Sequence, residues 1–146
     1  MTWLRRFGAL AGAVGVVALM APTAHAQAFA RLEPVPVAAS PSCGGRISAE
    51  AQTTTVQTGA VLTERGVRVA VNYDAGVYDG NCAITVTATW TNLDTGATGA
   101  GDITAVSTID GHYGFIGYAS TTFVTGSGTI VVTMSSHPDA QMQVMT

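Results

Sequence analysis

The strongest fold signal in the chain is the stretch from Cys82 to Thr91, which reads C-A-I-T-V-T-A-T-W-T. Apolar residues and polar threonines alternate along it with a period of two. Because successive side chains of a β-strand point to opposite faces, this spacing gives one face toward a core and one toward water. The residues Asn92–Gly96, N-L-D-T-G, follow it and are typical of a turn. The stretch therefore predicts a half-buried strand with a tight turn behind it.

Alternation of the same kind recurs on both sides of this strand. It is clear at residues 67–73 and 129–135, and Gly- and Asp-rich turns separate the segments. Weaker strands are predicted at Ile47–Val56, Ala60–Thr63, Thr98–Ile109, Tyr113–Tyr118 and Thr121–Thr125. Seven or eight short strands in roughly 100 residues predict an all-β fold, an antiparallel β-sandwich, with a small closed barrel as the structural alternative.

The N-terminus has the three parts of a secretory signal peptide. Arg5-Arg6 forms a positive region, residues 7–20 are uncharged and mostly apolar, and Ala24-His25-Ala26 offers small residues for cleavage. The apolar stretch is shorter than the ~20 residues that a membrane-spanning helix needs. We therefore expect a signal peptide over residues 1–26 and no stable membrane insertion after its removal. The general secretory route is favoured, and the paired arginines leave twin-arginine export as the alternative.

The composition of the expected mature chain, residues 27–146, excludes two broad classes of protein. It holds four arginines, no lysine and nine carboxylates, a net charge of 4 − 9 = −5. Without a basic patch to neutralise phosphates it is not a polybasic nucleic-acid binder. With 47% hydrophobic residues in the whole chain it is not a long disordered acidic segment. We expect a secreted or envelope-associated globular protein that binds no nucleic acid.

Both cysteines, Cys43 and Cys82, lie in the exported part. In an oxidising compartment they pair most simply with each other, and a loop of about 40 residues contributes ~4 kcal/mol in the chain-entropy model. A metal or thiol-catalysis pair is the weaker alternative, because the spacing is far from C-x-x-C. Residues 27–42 contain three prolines among Ala, Val and Ser, which predicts an extended linker before a domain over residues 43–146.

A resemblance to a known group adds to this interpretation. Residues 108–115, T-I-D-G-H-Y-G-F, resemble the D-G-x-Y-x-F turn and strand of many bacterial immunoglobulin-like and prealbumin-like domains. Residues 86–99 and 125–133 resemble small secreted immunoglobulin-like proteins of actinobacteria, a group whose functions are largely uncharacterised. The resemblance covers roughly residues 43–139 and implies an immunoglobulin-like β-sandwich but no function. It departs from antibody-type domains because both cysteines precede Trp90.

The histidines and carboxylates carry no catalytic or metal-binding motif. His112 near Asp110 has no G-x-S-x-G elbow to accompany it, and residues 137–139, H-P-D, are interpreted as an exposed turn. Asp74 and Asp79 lack the D-x-D-x-D-G spacing of a Ca²⁺ loop, which favours a solvated hairpin. A carboxylate pair for glycoside hydrolysis is open by count, although few aromatics are available for a sugar cleft. We expect no enzyme activity, no cofactor and no metal.

Two tyrosines are the candidate contacts with a partner. Most large aromatic rings are in phase with apolar neighbours and are expected in the core. Tyr78 lies in a predicted loop, and Tyr118 is out of phase with Tyr113 and Phe115. Three functions stay open: a non-catalytic binding module for an unknown protein or envelope component, a structural or assembly protein of the cell envelope, and a small secreted hydrolase or ligand carrier. We favour the first.

We predict that the protein recovered from a secreting host begins at Gln27, because signal peptidase cleaves after a small residue such as Ala26. Intact-mass spectrometry without reductant measures this start and, through the loss of two hydrogens, the disulfide. A secreted chain that keeps Arg5 and Arg6 would contradict the signal peptide.

Overall fold

The computed structural model describes residues 27–76, 80–110 and 113–146. For residues 80, 81, 109, 110 and 113–115 the backbone alone is described, and the predicted signal peptide lies outside the described residues. Nine strands and no helix occur in this part of the chain. The strands are β1 (Phe29–Ala38), β2 (Gly44–Gln57), β3 (Thr63–Asp74), β4 (Gly80–Asn92), β5 (Thr98–Asp110), β6 (Tyr113–Phe115), β7 (Gly117–Val124), β8 (Thr129–Met134) and β9 (His137–Met145).

The strands form two antiparallel sheets. The first sheet has the order β1-β2-β3-β7, and the second has the order β6-β5-β4-β8-β9. One cluster of buried side chains, drawn from both sheets, fills the space between them. This is the layered arrangement of a β-sandwich, in which the inward faces of two sheets form a single core. The predicted all-β, antiparallel, two-sheet architecture is confirmed, and no helix of the described residues has the length and apolar character to cross a membrane.

Strand β4 shows the two faces that its alternation predicts. Cys82, Val86, Ala88 and Trp90 are buried, whereas the threonines between them face solvent or are half-buried. Ile84 is the exception on the inner face, because it is only half-buried. The strand lies between β5 and β8 in the second sheet, so its apolar face is the centre of that sheet's contribution to the core.

The turn after β4 is fixed by the buried side chain of Asn92. Its Nδ2 donates to the carbonyls of Thr125 at 2.9 Å and Ser127 at 3.0 Å. Its Oδ1 accepts from the backbone amides of Asp94 at 3.0 Å and Thr95 at 3.2 Å. Four hydrogen bonds satisfy this fully buried amide, and they fasten the predicted turn to the loop between β7 and β8.

The segment predicted as a linker, residues 27–42, contains an edge strand. Residues 29–38 form β1, which pairs with β2 and buries Leu32 against the core. Pro34 and Pro36 are tolerated because β1 lies at the edge of its sheet, where a missing N–H breaks no inner ladder, and the register shifts between Leu32 and Val35. The linker prediction fails over these residues because proline argues only against a central strand.

Two other sequence-based boundaries also differ. The weak strand predicted at Ala60–Thr63 falls mainly in the turn between β2 and β3, where the Thr58 amide donates to the Leu62 carbonyl at 3.0 Å. The exposed turn predicted at residues 137–139 is instead the start of β9, and His137 is buried. Its Nε2 donates to the Glu33 carbonyl at 3.0 Å, so the ring joins the second sheet to β1 of the first.

The predicted disulfide between Cys43 and Cys82 is confirmed, with their Cα atoms 5.6 Å apart. Cys43 directly precedes β2, and Cys82 lies in β4, so the bond links the two sheets. Beside it the fully buried Tyr73 donates its hydroxyl to the Cys43 carbonyl at 3.0 Å. The first half of β4 is therefore held to the opposite sheet by one covalent bond, next to a buried tyrosine.

We predict that Trp90→Ala lowers the free energy of unfolding by about 3–5 kcal/mol, because a large buried ring is lost and a cavity is left. The indole is 8% exposed and lies so close to Gly99 that a Cβ there would be 2.6 Å from the indole nitrogen. Urea denaturation measures the loss.

Thr89→Val is the matched control, since Thr89 lies on the exposed face of β4 and valine keeps its branched shape. We expect a change within about 1 kcal/mol. A loss of that small size for Trp90→Ala itself would place the ring outside the core.

Candidate functional site

Three of the four arginines of residues 27–146 lie on the outer face of the first sheet. Arg31 pairs in register with Glu50, Arg46 with Asp74, and both alternate with residues of β1 and β2 that face the core. Arg68 lies on the same face of β3. The chain as a whole is acidic, so this face concentrates the positive side chains that it has.

An open groove of about 360 Å³ runs between the first two of these arginines. We call it the arginine groove, and it is lined by Arg31, Pro34, Arg46, Ser48, Asn72, Asp74 and Ile116. Ser48 and Asn72 are paired neighbours on β2 and β3 and line the groove together with the two arginines. The groove thus combines two cations with neutral hydrogen-bonding groups and one carboxylate, that of Asp74.

The guanidinium groups of the groove have few partners within the chain. Arg46 donates from Nη2 to the Pro34 carbonyl at 2.8 Å. Within the described ranges Arg31 and Arg46 form no ion pair with a carboxylate, although Glu50 and Asp74 are their register partners. Asp74 instead accepts through Oδ1 from the Gly76 amide at 2.9 Å. The two arginines therefore keep donors for an outside ligand.

Tyr118, a predicted partner contact, lies on the same outer face and is 49% exposed. The guanidinium carbon of Arg68 lies 5.8 Å from the centre of its ring, and Arg68 also donates to the tyrosine hydroxyl. A cation over an aromatic face holds both side chains in a preferred orientation. The structure places Tyr118 at the surface beside Arg68, and its contact with a partner stays a prediction.

The structure does not show where the other candidate side chains from the sequence analysis lie. Tyr78, Asp79 and His112 lie outside the described residues, as does the side chain of Asp110. Within the part of the chain that is described, no three His, Cys, Asp or Glu side chains lie close enough to hold a metal ion.

A second candidate surface is the edge of β4 that faces away from β5. Strand β4 pairs with β5 from Gly80 to Thr91, but it pairs with β8 only from Ala88 to Asn92. Beyond β8, Ser135 adds two bonds: its amide donates to the Thr87 carbonyl at 3.0 Å, and its Oγ accepts from the Thr87 amide at 2.9 Å. Before Thr87 no described strand pairs with β4 on this side.

We call residues Ala83–Val86 the open edge of β4. A groove of about 350 Å³ lies beside it, and the groove's other walls are residues 37–39, at the end of β1, together with Ser135 and Ser136. None of these lining side chains is charged. The edge and groove therefore form an uncharged slot that continues the line of β8.

The outer face of the second sheet is different, because its polar groups bond to one another. Thr85 and Thr104 share a hydrogen bond of 2.7 Å between their hydroxyls, and Thr87 donates to Asp102 at 2.7 Å. Cross-strand pairs of this kind stabilise a wet sheet face. This face therefore needs no ligand to account for its threonines.

Sequence reasoning did not identify the arginine groove or the open edge. A partial signal for the groove was present, since Arg31 and Arg46 each alternate with residues that face the core. Their positions relative to each other, however, depend on the pairing of β1 with β2, whose register shifts between Leu32 and Val35. Comparison of the chain with protein-family models, curated proteins and solved structures finds no match.

The buried phenol of Tyr73 has a raised pKa. Burial raises the pKa of its phenol above the ordinary value of 10.0, and the neighbouring Asp74 carboxylate raises it further. Both effects disfavour the charged phenolate, the first by desolvation and the second by like-charge repulsion.

We predict that the free energy of unfolding falls as the pH rises above about 10. The unfolded chain releases the Tyr73 proton near its ordinary pKa of 10.0, whereas the folded chain holds it to higher pH. The stabilisation is complete below the unfolded pKa and is lost as the pH passes through the folded pKa.

Urea denaturation from about pH 8 to about pH 11 measures this slope. Tyr73→Phe keeps the buried ring and removes the ionisable group, so its slope in the alkaline range should be smaller. Identical slopes for the two proteins would show that Tyr73 does not govern the alkaline loss.

Proposed function

We propose that this chain is a secreted, non-catalytic, immunoglobulin-like binding module whose arginine groove binds carboxylate groups displayed by a protein or envelope component. The observation that carries the proposal is the presence of two guanidinium groups, Arg31 and Arg46, in one groove that is also lined by Ser48, Asn72 and Asp74. The remaining features of the fold are consistent with display of this groove outside the cell.

The strand order supports the immunoglobulin-like assignment. The neighbours β2-β3-β7 opposite β6-β5-β4-β8-β9 correspond to strands A-B-E opposite C″-C′-C-F-G of a variable-type domain without strand D. Strand β1 is then an addition at the outer edge of strand A. The disulfide differs from the antibody pattern, because it joins Cys43, directly before β2, to β4 rather than joining strands B and F, which correspond to β3 and β8.

The chemistry of the groove favours carboxylates over other ligands. Arginine presents a planar fork of donors that matches a carboxylate, and such charge-assisted bonds are stronger than neutral ones. Glu50 and Asp74 are paired with the two arginines in register and disfavour a continuous polyanion such as nucleic acid. Isolated carboxylates, spaced so that each binds one guanidinium group, match the arginine donors and avoid the repulsion that a continuous polyanion would meet.

Secretion is supported by the disulfide. Such bonds persist in oxidising compartments and are rare where thiols are kept reduced. The N-terminal pattern at residues 1–26 adds the route by which the chain would reach that compartment.

A structural or assembly role in the envelope is the second candidate. The observation that favours it is the open edge of β4, because an unpaired strand edge is a template for another chain.

We predict that the double variant Arg31→Glu/Arg46→Glu weakens binding of a dicarboxylate by about tenfold or more, since each charged hydrogen bond contributes about 1.5–3 kcal/mol. Glutarate is the probe, glutaramide is its uncharged control, and the amide NMR shifts of Ser48 and Asn72 measure binding. Added salt should weaken the wild-type response, because the groove is open to solvent.

Arg65→Glu is the control for a reversal of charge outside the groove, and each single variant, Arg31→Glu or Arg46→Glu, has the same change of net charge as this control. Arg65 is exposed at the start of β3 and is not part of the groove. This variant should bind glutarate nearly as the wild type does. An equal response to glutaramide, or an unchanged response in the double variant, would refute the carboxylate assignment.

A further inference from the structure

We propose that the open edge of β4 accepts an extended, uncharged peptide segment of a partner polypeptide, which adds one antiparallel strand in line with β8. This site is separate from the arginine groove and does not depend on the function proposed for it. Recognition at this edge would be directed to the backbone of the partner, which a general binding role does not specify.

The backbone of β4 directs hydrogen-bonding groups to the side on which β8 lies. Thr87 directs both its N–H and its carbonyl toward the β8 side, where Ser135 binds them. Hydrogen bonding in an antiparallel sheet alternates between the two sides with a period of two residues. Ala83 and Thr85 therefore direct their N–H and carbonyl groups to the same side, where no described strand meets them.

The edge at β1 and the open edge of β4 differ in their protection against pairing. Natural sheets protect exposed edges with proline, charge or bulges. Strand β1, an edge of the first sheet, has Pro34, Pro36 and a register shift. The open edge of β4 has no proline and no charged residue over Ala83–Val86. The chain thus protects one edge and leaves the other suited to pairing.

The shape of the slot selects the kind of occupant. The slot ends at Thr87, because Ser135 already binds the backbone of that residue. From Thr87 toward its N-terminal end, β4 has seven more residues, Gly80–Val86, or roughly 24 Å at about 3.4 Å per residue. The groove is lined by only four of these residues, Ala83–Val86, a length shorter than the edge strands β1 and β9 of this chain, which have ten and nine residues. A short flexible segment or chain terminus therefore matches the length of this site better than the edge strand of a second folded copy.

The lining of the groove selects the side chains of the segment. Its walls, residues 37–39 with Ser135 and Ser136, are small, apolar or hydroxylated and carry no charge. A buried charge without a partner is costly, so a charged segment is disfavoured. Alternation in the added strand would send every second side chain toward the half-buried Ile84 and the others to solvent. Strand addition of this type obtains affinity from backbone hydrogen bonds and specificity from alternate side chains.

The test uses the mature, disulfide-bonded chain and a capped hexapeptide of alternating threonine and valine. We expect saturating peptide to slow amide hydrogen exchange at Ala83 and Thr85 by about tenfold or more, since these amides gain acceptors. In the control peptide every second residue is N-methylated, so one edge of the peptide has no backbone N–H to donate. When that edge faces β4, the peptide should not slow the exchange of Ala83 and Thr85. This control requires no change in the protein.

Thr85→Pro is the second arm, because proline removes an amide on the open side and leaves the β5 ladder its bonds. The folded variant, checked by its circular dichroism, should bind at least about tenfold more weakly, with most of the loss in dissociation rate. If this variant does not fold, the N-methylated peptide still decides the question.

Three results would overturn the proposal. The first is equal protection by the N-methylated peptides, whichever edge is blocked. The second is slow exchange of Ala83 and Thr85 in the free monomer, which would show that the edge is already covered. The third is protection that grows with protein concentration in step with dimer formation by sedimentation, which would make a second copy the occupant.

Discussion

The central constraint of this fold is the difference in length between β4 and the strand beside it. Strand β4 has thirteen residues, whereas β8 has six and pairs with only five positions of β4. The second half of β4 is thus held on both sides by backbone ladders. The first half has a ladder on one side only, and this is the half that contains Cys82. The disulfide to Cys43 ties it to the opposite sheet, so a covalent bond stands where a neighbouring strand would otherwise hold the strand in place.

The two outer faces treat their polar groups in opposite ways. On the second sheet, polar side chains form hydrogen bonds with one another, in the pairs Thr85–Thr104 and Thr87–Asp102. On the first sheet, Arg31 and Arg46 stay apart from the carboxylates that oppose them in register. Exposed ion pairs contribute only about 0–1 kcal/mol, so this separation has little effect on stability. It does keep guanidinium donors available at the surface.

The sequence predicted those features that depend on local alternation. The faces of β4 followed from residues 82–91, because a one-residue slip would have exposed Cys82, Val86 and Trp90 together. The disulfide followed from the presence of two cysteines in the part of the chain that is predicted to be exported. The arginine groove did not follow, since Arg31 and Arg46 meet only through the pairing of β1 with β2. The open edge was likewise hidden, because it depends on where β8 ends relative to β4 in space.

Strand β1 shows why the boundary of the domain affects function as well as stability. Its prolines resemble those of a linker, yet Arg31 and Pro34 form one wall of the arginine groove. Farther along, Val37 and Ala38 form one wall of the groove beside β4. The hydrogen bond from His137 to the Glu33 carbonyl lies between these two places and joins β1 to the second sheet. Because β1 borders both surfaces, the fold positions them only when this edge strand is paired, and a chain that began at Cys43 would keep most of the core while losing a wall of each.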